Sequence, residues 1–241
     1  MSWFNLFLRR HDMGKPFCLT RIRLALIGIS WVKSKNYEEY IDLNNTLGNF
    51  FTNEPELRAT SIQPPNVPVI IEMGNIPIIQ VNDPSTQTEF QVSRDRADFI
   101  TSISNQSNLS FFVEKATALV RRYKNPRRIG IIATYVYDTD KISEWFDNFI
   151  FKLSSSDLSE TLIRYNRKST FKKLFDSNKI VQIQELSHVS SSEEHKNLKR
   201  ISIQLDINTP AEYELTEKQA LDFFNTKIKL LTLTAGGNSL L

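Results

Sequence analysis

The chain has 241 residues, 40% hydrophobic and 24% charged, with 16 phenylalanines, seven tyrosines and three tryptophans. That composition suits a globular protein with a sizeable core and excludes a wholly disordered one. Thirty Lys and Arg against 27 Asp and Glu leave a charge of +3. This is too little to coat a nucleic acid, so any such binding has to come from a local patch.

Trp3, Phe4, Phe7 and Leu8 precede Arg9 and Arg10. A secretory signal runs the other way, positive charge first and a longer apolar stretch after it. No later stretch reaches the ~18 apolar residues of a membrane helix. The cytoplasm is the expected compartment, and the single cysteine, Cys18, fits it while excluding an internal disulfide. The aromatic opening reads either as a segment packed on its own domain or as an anchor for a partner.

From Cys18 to Val32, Ile22, Leu24 and Leu26 alternate with Arg21, Arg23 and Ala25, the period of a strand. Asn36 then caps a helix with Tyr37, Tyr40, Ile41, Leu47 and Phe50 on one side and acids in its first turn. Short runs at 59–63, 67–72, 76–82 and 88–92, punctuated by 73–75 and 83–85, read as an antiparallel meander. Ser110 opens a second helix with Phe111, Phe112, Ala116 and Leu119 on one face, and Asn125-Pro126 ends it.

The plan then repeats. A strand covers 128–137, and Thr139 or Asp140 caps a helix with Trp145, Phe146 and Phe149 on its face. A weakly patterned basic stretch follows at 162–175, then strands at 179–186 and 200–207. Thr216 caps the last helix, which buries Leu221, Phe224, Ile228 and Leu231. The expected fold is α+β: antiparallel sheets, each covered by helices on one face, in two similar lobes. The lobes would span 1–125 and 126–233 with Pro126 as the seam, and 234–241 would be a flexible tail.

Few residues offer chemistry. His188 and His195 flank a serine-rich loop with Glu193 and Glu194, but such a loop gives metal ligands no rigid support. A divalent-metal nuclease of the restriction type needs Glu-x-Lys on a buried strand. Glu194-His195-Lys196 sits in that polar loop instead. Cys18 opens a strand, with no helix N-terminus to make it a thiolate. No GxxxxGK[S/T], GxGxxG or GxSxG motif occurs. No catalytic set, metal or small-molecule cofactor is expected.

Charge offers more. Arg121, Arg122, Arg127 and Arg128 form one basic cluster, and Arg164, Arg167, Lys168, Lys172 and Lys173, with Tyr165 and Phe171 between, form another. Basic side chains interleaved with aromatics can track a phosphate backbone and stack on bases. The plainer alternative makes the first a favourable helix C-terminus and the second a solvated helix face.

The stretch Thr88–Ile100 followed by Phe111–Tyr123, the strand Arg128–Asp138, and Ile203–Thr209 leading into Thr216–Leu231 occur in that order. Together they resemble a sporadically distributed family of uncharacterised bacterial proteins of about 250 residues, over roughly residues 90–241. After its glycine that family tends to read Leu-Arg-Tyr-Ile-Asn, where this chain has Ile131-Ile-Ala-Thr-Tyr-Val. The resemblance carries no catalytic residues over. It implies a two-lobed α+β binding protein, and by analogy a place in phage defence or a toxin–antitoxin pair.

The leading expectation is therefore a non-catalytic protein-interaction or adaptor subunit of a bacterial complex. It would self-associate or hold a protein partner, with Trp3, Phe4, Phe7 and Leu8 contributing. A nucleic-acid-binding protein using the basic clusters is the alternative, and a metal-dependent nuclease comes third.

Overall fold

The computed structural model describes residues 16–29, 36–57, 61–62, 71–72, 78–93, 95–139, 162–186, 199–235 and 240. In chain order its elements begin with β1 (Phe17–Ile27), α1 (Asn36–Thr46), β2 (Glu56–Leu57), β3 (Ser61–Ile62) and β4 (Ile71–Glu72). Next come β5 (Ile79–Asp83), β6 (Thr88–Val92), β7 (Arg96–Ser102), α2 (Gln106–Arg122) and β8 (Arg128–Thr139). The chain closes with β9 (Leu162–Phe171), β10 (Phe175–Leu186), β11 (Lys199–Asn208), α3 (Glu217–Ile228) and β12 (Thr234–Ala235).

Ten strands form one antiparallel sheet in the order β2-β5-β6-β7-β1-β8-β11-β10-β9, with β12 added to the start of β1; β3 and β4 pair separately. This overturns the expected pair of helix-covered lobes. The cause is β1. Its residues Arg21–Ile27 pair with β7 on one side and with β8 on the other. Strand β8 in turn pairs with β11 along Gly130–Thr139. The first strand of the chain is thus stitched to the strands on both sides of Pro126. Alternation of apolar and polar residues shows which face a side chain takes, but not how many neighbours a strand has.

One face of the sheet carries Ile22, Leu24 and Leu26 of β1, and Ile129, Ile131 and Tyr135 of β8. These join the buried side chains of the helices in a single core cluster. Asn105 caps α2 by accepting from the Asn108 N–H. The helix therefore starts well before the expected Ser110, because an Asn cap satisfies an otherwise orphaned donor. Leu109, Phe112, Ala116, Leu119 and Val120 are buried along it, and Phe112 stacks on Phe99 of β7 at 5.6 Å. A capping box between Thr216 and Gln219 starts α3. On this helix Phe223 packs edge-on against Phe171 at 5.3 Å.

Two further expectations are corrected. Thr139, read as a helix cap, is the last residue of β8 and pairs with Lys199. The basic stretch after Leu162 is no helix face: it is β9, an edge strand paired with β10 from Leu162 to Phe171. Within residues 234–241, Thr234 and Ala235 pair with Cys18 and Phe17, and Leu240 is buried. The helix expected over residues 142–150 lies outside the described residues.

Gly28 ends β1 at φ +75°, and its N–H donates to the Asp95 carbonyl at 2.7 Å. A Cβ there would come within 2.5–2.8 Å of the Arg127 side chain. Gly28→Ala is expected to cost about 1–2 kcal/mol from the left-handed backbone alone, read as a lowered urea midpoint. A midpoint at the wild-type value would show that the turn relaxes freely.

Candidate interaction surface

Side chains of opposite parity to the core line the second face of the sheet, and here residues align across many strands. One row runs Asn82, Glu89, Ile100, Arg23, Ile132, Asp206, Ile180 and Asn166. The next runs Ser102, Arg21, Thr134, Gln204, Gln182 and Arg164. It is a polar face with isolated aliphatics and, in these two rows, no aromatic ring.

Most of its charges are already engaged. Asp98 is 5% exposed and accepts from Arg23 Nε and Arg96 Nε, each at 2.8 Å. Arg200 holds Asp138 through two bonds of 2.7 and 3.0 Å. That hydrogen bond, set against partial burial, lifts the Arg200 guanidinium above its usual range. Glu89 accepts from Gln80 at 2.8 Å and stands 3.8 Å from Arg21. An amide chain runs inward from the edge. Asn166 donates to Asn178 at 3.3 Å, Asn178 to Asn208 at 3.2 Å, and Asn208 to Asp206 at 2.8 Å.

A shallow hollow of about 290 Å³ opens beside the β5–β6 turn, with Arg21, Asn82, Asp83 and Ser102 among its walls. Of its two carboxylates, Glu89 and Asp83, the second serves the turn: Asp83 accepts from Ser85 N at 2.9 Å and Ser85 Oγ at 2.6 Å. Burial works to raise this carboxyl, but hydrogen bonds from Ser85 and Thr86 outweigh it and hold it below its ordinary value. Among the described residues no three His, Cys, Asp or Glu side chains come together to hold a metal ion. No described helix is long and apolar enough to cross a membrane.

The structure disperses the basic residues singled out in the sequence. Arg122 faces inward and ties α2 to α1 through Asp42 and, at 3.3 Å, Glu39. Arg121 is exposed on α2. Arg127 lies 3.6 Å from Asp95, and Arg128 opens β8 opposite Ile27. Lys172 and Lys173 occupy the β9–β10 turn with positive φ, and Lys172 pairs with Asp222 of α3 at 2.7 Å. Only Arg164 and Lys168 of the second cluster reach the polar face, opposite Gln182 and Asn178. Trp3, Phe4, Phe7 and Leu8 lie outside the described residues, as do His188, Glu193, Glu194, His195 and Lys196.

Arg167 takes the helix-side face of β9, 5.4 Å over the Tyr165 ring and directly opposite Lys179 of β10. Burial, and then the Arg167 charge, push the Lys179 ammonium below its ordinary range. The native state therefore disfavours the proton on Lys179. Wild-type stability should rise as pH climbs from the depressed native value toward the ordinary lysine range. Lys179→Met should stabilise the fold at neutral pH by up to ~1 kcal/mol and abolish that alkaline gain. A lowered midpoint for Lys179→Met would contradict the repulsion.

This edge pairing is the feature that sequence reasoning missed, because a cationic strand and a solvated helix face share a composition. The alternation of Ile163 and Tyr165 with Arg164 and Asn166 was its one available signal. No protein-family model matches the chain and no curated protein matches it, so the surface has to be read from its own chemistry.

Proposed function

We propose that this chain is a non-catalytic protein-interaction subunit, acting in the cytoplasm, that docks a protein partner on the polar face of its sheet. The single observation behind the reading is the register that lines up amides and charged groups, with isolated isoleucines between them, across eight strands, and amides and hydroxyls across six. Neutralised Arg–carboxylate pairs and amides suit a polypeptide surface, where complementary hydrogen bonds fix the register of docking. Phosphate recognition asks instead for uncompensated cations.

Thr134→Arg combined with Gln204→Arg places two bulky charges in the middle of this face. Sedimentation of the purified protein and quantitative capture of its partner from the host should then show assembly lost while circular dichroism is unchanged. Assembly equal to wild type would refute the reading. Arg164 and Lys168, opposite amides rather than acids, favour the second reading of nucleic-acid binding. It predicts an oligonucleotide mobility shift that weakens steeply with salt and disappears in Arg164→Glu/Lys168→Glu.

A further inference from the structure

The hollow beside the β5–β6 turn holds an ion pair unlike the others on the polar face. Arg23 and Arg96 close on Asp98 at 2.8 Å, and Arg200 closes on Asp138 at 2.7 Å. Arg21 and Glu89, both in the wall of the hollow, stand 3.8 Å apart, too far for a hydrogen bond. Glu89 is clamped through one oxygen. Its Oε1 accepts from Gln80 at 2.8 Å and from Gln91, while Oε2 is the atom nearest Arg21. Among the described residues the Arg21 guanidinium makes no hydrogen bond, and the side chain is 57% exposed. Neutral groups complete the wall. Ser102 lies opposite Arg21 across the β1–β7 pair, and its N–H donates to the Gln87 carbonyl at 3.1 Å. Gln87 sits at φ +52°, a conformation that favours glycine. A glutamine there lends the wall a side-chain amide that glycine would lack. Ile100, 6% exposed, supplies an apolar patch.

We propose that this hollow binds a small zwitterion of the α-amino-acid class, its carboxylate on the Arg21 guanidinium, its ammonium on Glu89 Oε2 and a short apolar side chain against Ile100. Such a ligand is a second function, beyond the docking of a protein. Three considerations select it. Only a ligand with both charges satisfies both members of an open pair. A purely anionic ligand such as a phosphate would meet the carboxylates of Glu89 and Asp83, and a purely cationic one would meet Arg21. Lastly, a volume of about 290 Å³ lies at the small end of the ~300–1,000 Å³ of ligand clefts. It has room for an amino acid and little for a nucleotide. Asp83 stays with its own turn, since Ser85 and Thr86 already donate to it.

Titration of the full chain with L-valine, followed by two-dimensional amide NMR, tests this directly. The amides of Gln87, Glu89 and Ser102 should shift saturably, with a dissociation constant of roughly 1 mM. L-Valinamide lacks the carboxylate and N-acetyl-L-valine lacks the ammonium. Each should bind at least roughly tenfold more weakly, a loss of about 1.4 kcal/mol. Arg21→Gln, at an exposed position, should weaken L-valine by a similar factor with circular dichroism unchanged, and Glu89→Gln should do the same. An absence of saturable shifts at these amides, up to roughly ten times the expected constant, would overturn the proposal. So would equal binding of either single-charge analogue, or wild-type affinity for L-valine in Arg21→Gln. The protein-interaction reading stands or falls separately, on partner capture by Thr134→Arg/Gln204→Arg.

Discussion

Phe112→Ala and Phe224→Ala are each expected to lower the unfolding free energy by ~3–5 kcal/mol, the cost of removing a buried aromatic ring and leaving a cavity. Both side chains are 0% exposed. They sit on different helices, from the two halves of the sequence, yet belong to one core cluster. The ring of Phe112 lies flat on Phe99, while Phe224 is held on α3 beside Phe223, which packs against Phe171 and Phe175. Because the core is shared, each variant should move the whole guanidinium transition followed by circular dichroism. Neither should split it. A wild-type midpoint for either variant would show that its ring does not fill the core.

The second large effect is expected on the polar face. Asp98 sits on β7, where it receives Arg23 from β1 and Arg96 from its own strand. Asp98→Ala leaves two guanidiniums without their acceptor. Hydrogen bonds to charged groups are each worth ~1.5–3 kcal/mol. Both arginines remain about one-third exposed, so water recovers part of that, and a net loss of about 2–3 kcal/mol is expected. High salt should narrow the gap between variant and wild type. A variant as stable as wild type would mean that the arginines find other partners at no cost.

How far the sequence could be read follows from what each signal encodes. The core strands were legible because Ile22, Leu24 and Leu26, or Ile201, Ile203 and Leu205, alternate with polar neighbours and are buried. The last helix was legible through Thr216 and its capping partner Gln219. The joining of the two halves was not. Pairing of Arg23 with both Ile100 and Ile132 is a long-range choice that no local pattern records. Strand β9 was hidden for another reason. Its outward residues Arg164, Asn166 and Lys168 are polar, and beyond Tyr165 its helix-side residues Arg167 and Ser169 are polar too, so alternation fades where the strand leaves the core. The clusters of arginine and lysine were visible, but their roles depend on acids distant in sequence: Asp42 and Glu39 for Arg122, Asp222 for Lys172.

Native-state hydrogen exchange measured amide by amide, with increasing denaturant, tests most directly the claim that the chain builds one continuous sheet with β1 at its centre. The ladder β7-β1-β8-β11 should form the slowest-exchanging set, and its amides should open together at one free energy. Phe112→Ala and Phe224→Ala should both lower that shared value. Two groups of amides divided near Pro126, with separate opening energies and each sensitive to only one of the two substitutions, would contradict the single sheet.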